Sequence, residues 1–236
     1  MKLCEVYTSV QGEGPNTGKP ITFVRFGGCN LRCQGWGTGT LPDGTEVRGC
    51  DTVFAVYPEW RDTWDSITPG ELLDQIPESP RMVCITGGEP LIQPSKDLNQ
   101  FVDRLLISGY GVDLFTNGTR PLAKHPWVTD PHVTVIMDWK LPGSEEGSTF
   151  DVNNLDYLQS KDCIKFVCKN VHDFDIALAH IRWAQDNDRL KAQVWFGPVW
   201  DKMDPAQLAE LVETHYPEGR LNIQTHKYVF GDIRGV

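Results

Sequence analysis

The run Arg81-Met82-Val83-Cys84-Ile85-Thr86-Gly87-Gly88-Glu89-Pro90 decides how the rest of the chain is read. Met82–Thr86 is a short apolar, β-branched strand candidate, and Gly87-Gly88 ends it in a tight connection whose bare backbone lets a ligand approach. A helical pattern opens near Ser95, places Leu98, Phe101, Val102, Leu105 and Leu106 on one face, and stops at Ser108-Gly109. Val112–Thr116 is then a second strand. Strand, helix, strand is the repeating unit of a parallel sheet.

Working outward, strands are expected at Ile21–Gly27, Val133–Asp138, Cys163–Val167, Ala192–Gly197 and Leu221–Gln224. Thr68-Pro69-Gly70-Glu71 combines a capping box with proline at the first helical position, and Asp204-Pro205-Ala206-Gln207 repeats that logic. Another helix is expected from about Asp173, with Phe174, Ala177, Leu178 and Ile181 as its apolar stripe. The expected fold is α/β: an incomplete β/α barrel with a mostly parallel sheet and helices outside. Six or so units are too few for a closed eight-stranded barrel. Residues 1–236 read as a single domain without an internal repeat, and Gln34–Gly49 reads as a long irregular segment rich in Gly and Thr.

Composition bounds the function. Of 236 residues 40% are hydrophobic and 23% charged, as in ordinary globular proteins, so a sizeable core is available without disulfides. The net charge of −10, from 22 basic and 32 acidic side chains, argues against a broad nucleic-acid-binding face and for a small-molecule substrate. No apolar run is long enough to span a membrane and the start lacks a signal-peptide core, so the expected compartment is the cytoplasm. Seven cysteines, an odd number, do not form a disulfide framework there. Cys4, Cys84, Cys163 and Cys168 read as small core hydrophobes; five residues apart on a strand, Cys163 and Cys168 face opposite ways and cannot easily share a metal.

Cys29, Cys33 and Cys50 are different. Three thiolates are one short of a closed tetrahedral zinc site, but enough to hold a [4Fe–4S] cluster with one iron left open for a ligand. Zinc would need a fourth ligand from elsewhere, and no histidine lies between Leu3 and Lys124. Polar groups also follow the strands at one end: Cys29, then Thr86–Pro90, Thr116–Thr119, Asp138-Trp139-Lys140 and Gln224–Lys227. In parallel β/α folds reactive groups gather at the C-terminal strand ends, so these form one expected rim.

Cys-x3-Cys with a third cysteine and Gly-Gly-Glu-Pro resembles the radical S-adenosylmethionine (SAM) enzymes. The run Glu5–Gly14, with Phe23-Val24-Arg25, Gly28-Cys29-Asn30-Leu31, Cys50-Asp51-Thr52, Thr116–Thr119 and Gln224–Tyr228, is similar to the 7-carboxy-7-deazaguanine synthase family. The resemblance implies a lyase that converts 6-carboxy-5,6,7,8-tetrahydropterin to 7-carboxy-7-deazaguanine with release of ammonia, using a [4Fe–4S] cluster, SAM and Mg²⁺.

Residue by residue, it implies that Cys29, Cys33 and Cys50 hold the cluster and that the Thr52 hydroxyl ligates Mg²⁺. It assigns pterin contacts to Gln11, Gly12, Arg25, Thr86 and His226. SAM contacts fall to Gly88, Glu89, Asp138, Trp139, Lys140, Phe196, Gly197, Pro198 and Val199. No protein nucleophile is implied. The planar fork of Arg25 suits a carboxylate, the mixed donor and acceptor of Gln11 suit a pterin edge, and a hydroxyl oxygen suits Mg²⁺. A homodimer and an electron-donor protein such as flavodoxin or ferredoxin are also expected.

The chain departs from the superfamily pattern in the sixteen residues Gln34–Gly49 between its second and third cysteines, an insertion whose closure cost grows only slowly with length. The tail from Val229 to Val236 bears on whether the C-terminal carboxylate meets substrate. Rival readings are an activase that makes a glycyl radical on a partner protein, and a zinc-bound module without catalysis. The first needs a broad docking face, and the second a colourless, zinc-replete protein. Trp60, Trp64, Trp183 and Trp200 read as packing, whereas Trp36 and Trp139 lie closer to the motifs.

Overall fold

Alternation along each strand gives the molecule its plan: one face of the sheet meets helices and the other meets an internal space. The computed structural model describes residues 1–34, 37–50 and 52–231. Its strands are β1 (Lys2–Val10), β2 (Pro20–Phe26), β3 (Gly37–Thr40), β4 (Glu46–Gly49), β5 (Asp65–Ser66), β6 (Met82–Gly87), β7 (Gly111–Thr116), β8 (Val133–Asp138), β9 (Cys163–Cys168), β10 (Gln193–Pro198) and β11 (Arg220–Leu221). Its α-helices are α1 (Val53–Val56), α2 (Pro69–Leu73), α3 (Ser95–Ile107), α4 (Val171–Asp186), α5 (Pro205–His215) and α6 (Thr225–Phe230).

Among the described residues nine strands form one sheet in the order β11-β10-β9-β8-β7-β6-β2-β1-β5. The run from β2 through β6 to β11 is parallel, and β1 joins β2 and β5 antiparallel. The sheet has edges at β5 and β11, so no closed barrel forms among the described residues. No described helix is long and apolar enough to cross a membrane.

Register fixes which side chains share a face. Glu5 and Tyr7 lie opposite Arg25 and Phe23; Arg25 opposite Thr86; Cys84 opposite Asp113; Phe115 opposite Ile136; and Asp138 opposite Lys165. Directly paired residues point the same way, so these make up the inner face. The alternate positions, Val24, Phe26, Val83, Ile85, Val112, Leu114, Val135, Met137, Ile164 and Phe166, point outward into the main core with Leu98, Phe101, Val102 and Leu105 of α3 and Phe174, Ala177 and Ile181 of α4. A smaller inner-face cluster joins Ile136, Cys163 and Trp195, with Phe115 against it.

The local signals act as expected at α2, where Thr68 and Glu71 form the reciprocal capping box, and at α5, where Asp204 caps and Pro205 occupies the first turn. Four readings are corrected. The strand expected at Leu221–Gln224 pairs only at Arg220–Leu221, and Gln224 instead precedes α6. Helix α4 starts at Val171, because the Asn170 side chain accepts from the Asp173 N–H and sets the cap two residues earlier. Leu106 is half-buried rather than part of the buried α3 stripe. Within Gln34–Gly49, β3 and β4 form an antiparallel hairpin around Asp43-Gly44, closed by Leu41 N–H to Thr45 O at 2.8 Å.

Candidate active site

The inner face and the loops beyond it enclose a cavity of about 410 Å³, a size that suits a small molecule with a cofactor fragment. On its β1–β2 wall, Tyr7 stacks on Phe23 with ring centroids 5.0 Å apart. Arg25 donates through Nε to Glu5 at 2.7 Å and through a terminal nitrogen to the Tyr7 hydroxyl at 3.1 Å, and lies over the Phe54 ring. These contacts fix the plane of the guanidinium, and Arg25 lines the cavity.

At one end the loops after β2 and β4 bring Cys29, Cys33 and Cys50 to the same cavity. The Cys29 sulfur accepts from the Leu31 N–H at 3.4 Å and lies 3.8 Å from the Asn117 amide nitrogen, while the Cys50 sulfur is 3.2 Å from the Thr52 hydroxyl. Burial pushes the Cys29 thiol up to about 11 and raises Cys33 as well, so a metal must displace the protons when it binds. Among the described residues no three His, Cys, Asp or Glu side chains gather closely enough for one ion. A cubane takes each thiolate at a separate iron and so tolerates wider spacing.

The glycines are required by the way the loops close. Gly87 has φ of +142°, and a Cβ there would strike the Phe26 backbone; one on Gly88 would strike the Gly28 carbonyl oxygen. Gly88 N–H donates to Phe26 O at 3.1 Å and Glu89 N–H to Gly28 O at 2.8 Å, so the β6 loop is laced to the loop that carries Cys29. Gly88 lines the cavity. Glu89 does not: it is fully buried and accepts from the Thr116 hydroxyl at 2.8 Å and the Asn117 N–H at 2.7 Å, tying β6 to β7.

Near Cys33, whose thiol feels both charges, Asp138 accepts from Lys140 through Oδ2 at 2.9 Å, with Lys165 at 3.6 Å. Its other oxygen, Oδ1, is buried without a hydrogen-bond partner among the described residues. A buried acceptor left open in a cavity wall fits a bound group that brings an ammonium or N–H donor. Lys165 also meets Glu13 at 2.6 Å, and this attraction outweighs burial: it raises the lysine strongly and lowers the Glu13 carboxyl.

The last wall comes from the two ends of the chain. Gln11 and Gly12 follow β1, and α6 docks over them with Thr225 N–H to Gly12 O at 3.1 Å. The His226 ring lies against Gly12 so closely that a Cβ there would collide with it. His226 therefore reaches the cavity from a short helix, not from a strand end.

Of the residues singled out from sequence, Gln11, Gly12, Arg25, Cys29, Cys33, Cys50, Thr52, Thr86, Gly88, Asp138, Lys140 and His226 line this cavity. Gly197, Pro198 and Val199 line a side pocket next to Glu13 and Lys165. Phe196 and Trp139 line neither pocket. Phe196 pairs with Phe166 in register and points to the helix-covered face, where it is fully buried. Trp139 has the same outward parity as Met137 and is stacked between Phe150 and His180, with centroids at 4.1 and 4.5 Å. Trp36, Asp51 and the C-terminal carboxylate lie outside the described residues. Sequence reasoning passed over Glu13, Asp113 and Lys165, although a charge inside each of the apolar strands Gly111–Thr116 and Cys163–Cys168 was a legible signal.

No family model matches the chain. A protein named 7-carboxy-7-deazaguanine synthase from Koribacter versatilis is 34% identical, covering 98% of this chain and 97% of its own length. One of the same name from Thermoplasma acidophilum is 33% identical, with all of both chains covered. Among solved structures, QueE from Escherichia coli superposes with a TM-score of 0.69 at 24% identity, over 94% of this chain and 93% of its own, which shows a shared fold.

Proposed function

Because the chain belongs to the 7-carboxy-7-deazaguanine synthase family, we propose that it is a radical SAM lyase that converts 6-carboxy-5,6,7,8-tetrahydropterin to 7-carboxy-7-deazaguanine with loss of ammonia. The observation that carries this reading is the convergence, in one cavity, of Cys29, Cys33 and Cys50 with Gln11, Arg25, Thr86 and His226. Cys29, Cys33 and Cys50 would hold a [4Fe–4S] cluster, which when bound would supply the electron that cleaves SAM and so provides the radical that abstracts hydrogen from the substrate.

The chain's own groups bind, orient and exclude water. Arg25, braced by Glu5 and Tyr7, offers its remaining N–H donors to the substrate carboxylate. Gln11 meets the pterin edge, with Thr86 and His226 beside it. Asp138 offers its open Oδ1 to the amino N–H of SAM, with Gly88 and Lys140 alongside and Gly197–Val199 flanking through the side pocket. Thr52, next to Cys50, presents a hydroxyl for Mg²⁺. The aromatic walls Tyr7, Phe23, Phe54 and Phe115 keep reactive species from water.

On this reading the open sheet is an incomplete β/α barrel, and residues 1–236 are one radical SAM domain with Gln34–Gly49 inserted. The protein works in the cytoplasm as a homodimer and receives its electron from a flavodoxin- or ferredoxin-type donor. The test is an anaerobic assay of reconstituted protein with SAM, reductant, Mg²⁺ and the pterin, read by mass spectrometry. Appearance of 7-carboxy-7-deazaguanine is the expected result. Formation of 5′-deoxyadenosine without the deazapurine would overturn the substrate, and neither product from cluster-loaded protein would overturn the whole reading.

A further inference from the structure

Gln11 is held at both ends of its amide. Its Nε2 donates to Asp113 Oδ2 at 3.3 Å, and its Oε1 accepts from the Glu13 N–H at 3.3 Å. Its backbone is pinned too, with N–H to Lys19 O at 2.9 Å and its carbonyl accepting from Gly18 N–H at 2.8 Å. An amide so fixed, with the Cys84 thiol also in hydrogen-bond reach of it, presents its open lone pair and any N–H that turns to a ligand in an order that a flip would reverse. Flipping is opposed twice: it would turn the carbonyl oxygen toward a carboxylate and the NH₂ toward a backbone donor.

Asp113 is itself built in. It is fully buried on β7, and its second oxygen accepts from the Asn16 amide at 2.7 Å. Asn16 in turn accepts from Lys19 Nζ at 2.7 Å. Cys84 of β6 is its register partner, and Cys163 of β9 and Lys19 are the other titratable groups that act on it or feel its charge. Its register partners on the inner face are Cys84 and Thr134, neither of them a cation that would call for a carboxylate here.

We propose that Asp113 is a positioning residue that sets which way the Gln11 amide presents its donor and acceptor to the pterin edge. The inference rests on the reading of Gln11 as a pterin contact. Replacing Asp113 by Asn keeps the shape but not the code. With its oxygen taken by Asn16, the new amide turns its NH₂ toward Gln11, two donors face each other, and Gln11 is driven to flip. Burial pushes the Asp113 carboxyl up to about 6, so its protonation releases the same lock within an accessible pH range.

The experiment compares wild type, Asp113→Asn, Gln11→Ala and the double variant as cluster-reconstituted enzymes, with KM and kcat measured separately for pterin and SAM across pH. Asp113→Asn is expected to raise the pterin KM about tenfold, the equivalent of one good hydrogen bond. The SAM KM should stay within about twofold, and in the Gln11→Ala background the Asp113 substitution should add nothing further. Wild type should show the pterin KM rising as pH falls through about 6, an inflection absent from Gln11→Ala. That wild-type comparison decides the matter if Asp113→Asn fails to fold. An unchanged pterin KM in an active Asp113→Asn enzyme overturns the proposal alone, as does a full effect that persists without Gln11. Cluster-loaded wild type that does not turn over the pterin overturns the functional reading and this proposal with it.

Discussion

Lys165 sits in the middle of the apolar strand β9 and holds the Glu13 carboxylate at 2.6 Å, although the two are 152 residues apart in the chain. Both are almost buried, at 9% and 11% side-chain exposure. Taking either partner away leaves a charge stranded in the wall. Lys165→Met is expected to destabilise the protein by about 3–5 kcal/mol, and adding Glu13→Gln should restore part of the loss. Urea unfolding of the single and double variants measures both values.

The cysteines divide by what surrounds them. Cys33→Ala should abolish bound iron after anaerobic reconstitution. Cys84→Ala should leave iron and sulfide per chain unchanged, although Cys84 is also in the cavity wall. Its thiol is buried on β6, and burial raises its pKa so far that it stays a protonated, inert side chain. Equal iron loss in both variants would show that the cluster ligands have been wrongly chosen.

At Gly88 the substitution to Ala brings a Cβ against two backbone carbonyls, those of Gly28 and Ala55, and neither can retreat as a flexible side chain can. The expected cost is about 1–3 kcal/mol of overpacking, together with poor cluster loading because the displaced loop carries Cys29. A thermal melt and the visible absorbance of reconstituted protein report the two effects.

His125 governs a pH response away from the cavity. It is buried, with Nδ1 2.7 Å from Asn99 Oδ1, and desolvation lowers its pKa from 6.5 to about 4. The folded protein therefore keeps it neutral where the unfolded chain would protonate it. Its contribution is fully present above about pH 6.5 and is lost as pH falls toward about 4. His125→Gln should flatten the fall in thermal midpoint across that window relative to wild type. Asp113, with a raised pKa, acts in the opposite direction over part of the same range, so the difference between the two proteins is the quantity to read.

How much was legible follows from where each residue gets its information. Strands β2 and β6 to β10 are buried runs of Val, Ile, Leu, Phe and Cys between turn residues, and their bounds fall within about two residues of the pattern. The two-sided strand β1 carries Glu5 and Tyr7 toward the cavity and so lacks an apolar signature; its residues stood out only as part of a motif. The hairpin β3–β4 was hidden by Gly and Thr, though Asp43-Gly44 between short runs was a turn signal.

The site was legible at its polar loops and not at its sheet. Face parity is a property of register, and the reading placed Trp139 and Phe196 in the site from their position beside a motif rather than from the side of the sheet they occupy. Asp113 and Lys165 escaped for the converse reason: each is one charge in a hydrophobic strand, and only the sheet shows that both point inward.

The hydrogen bond from Thr225 to Gly12 joins the first wall of the cavity to its last, across 213 residues of chain. Residues 224–231 leave the ribosome after every other part of that wall has been made. Until they dock, the trough that holds Cys29, Cys33 and Cys50 stands open on the side α6 will cover. On the proposed reading, iron and sulfide have access to the three cysteines for as long as α6 is undocked, and its docking over Gly12 narrows that access.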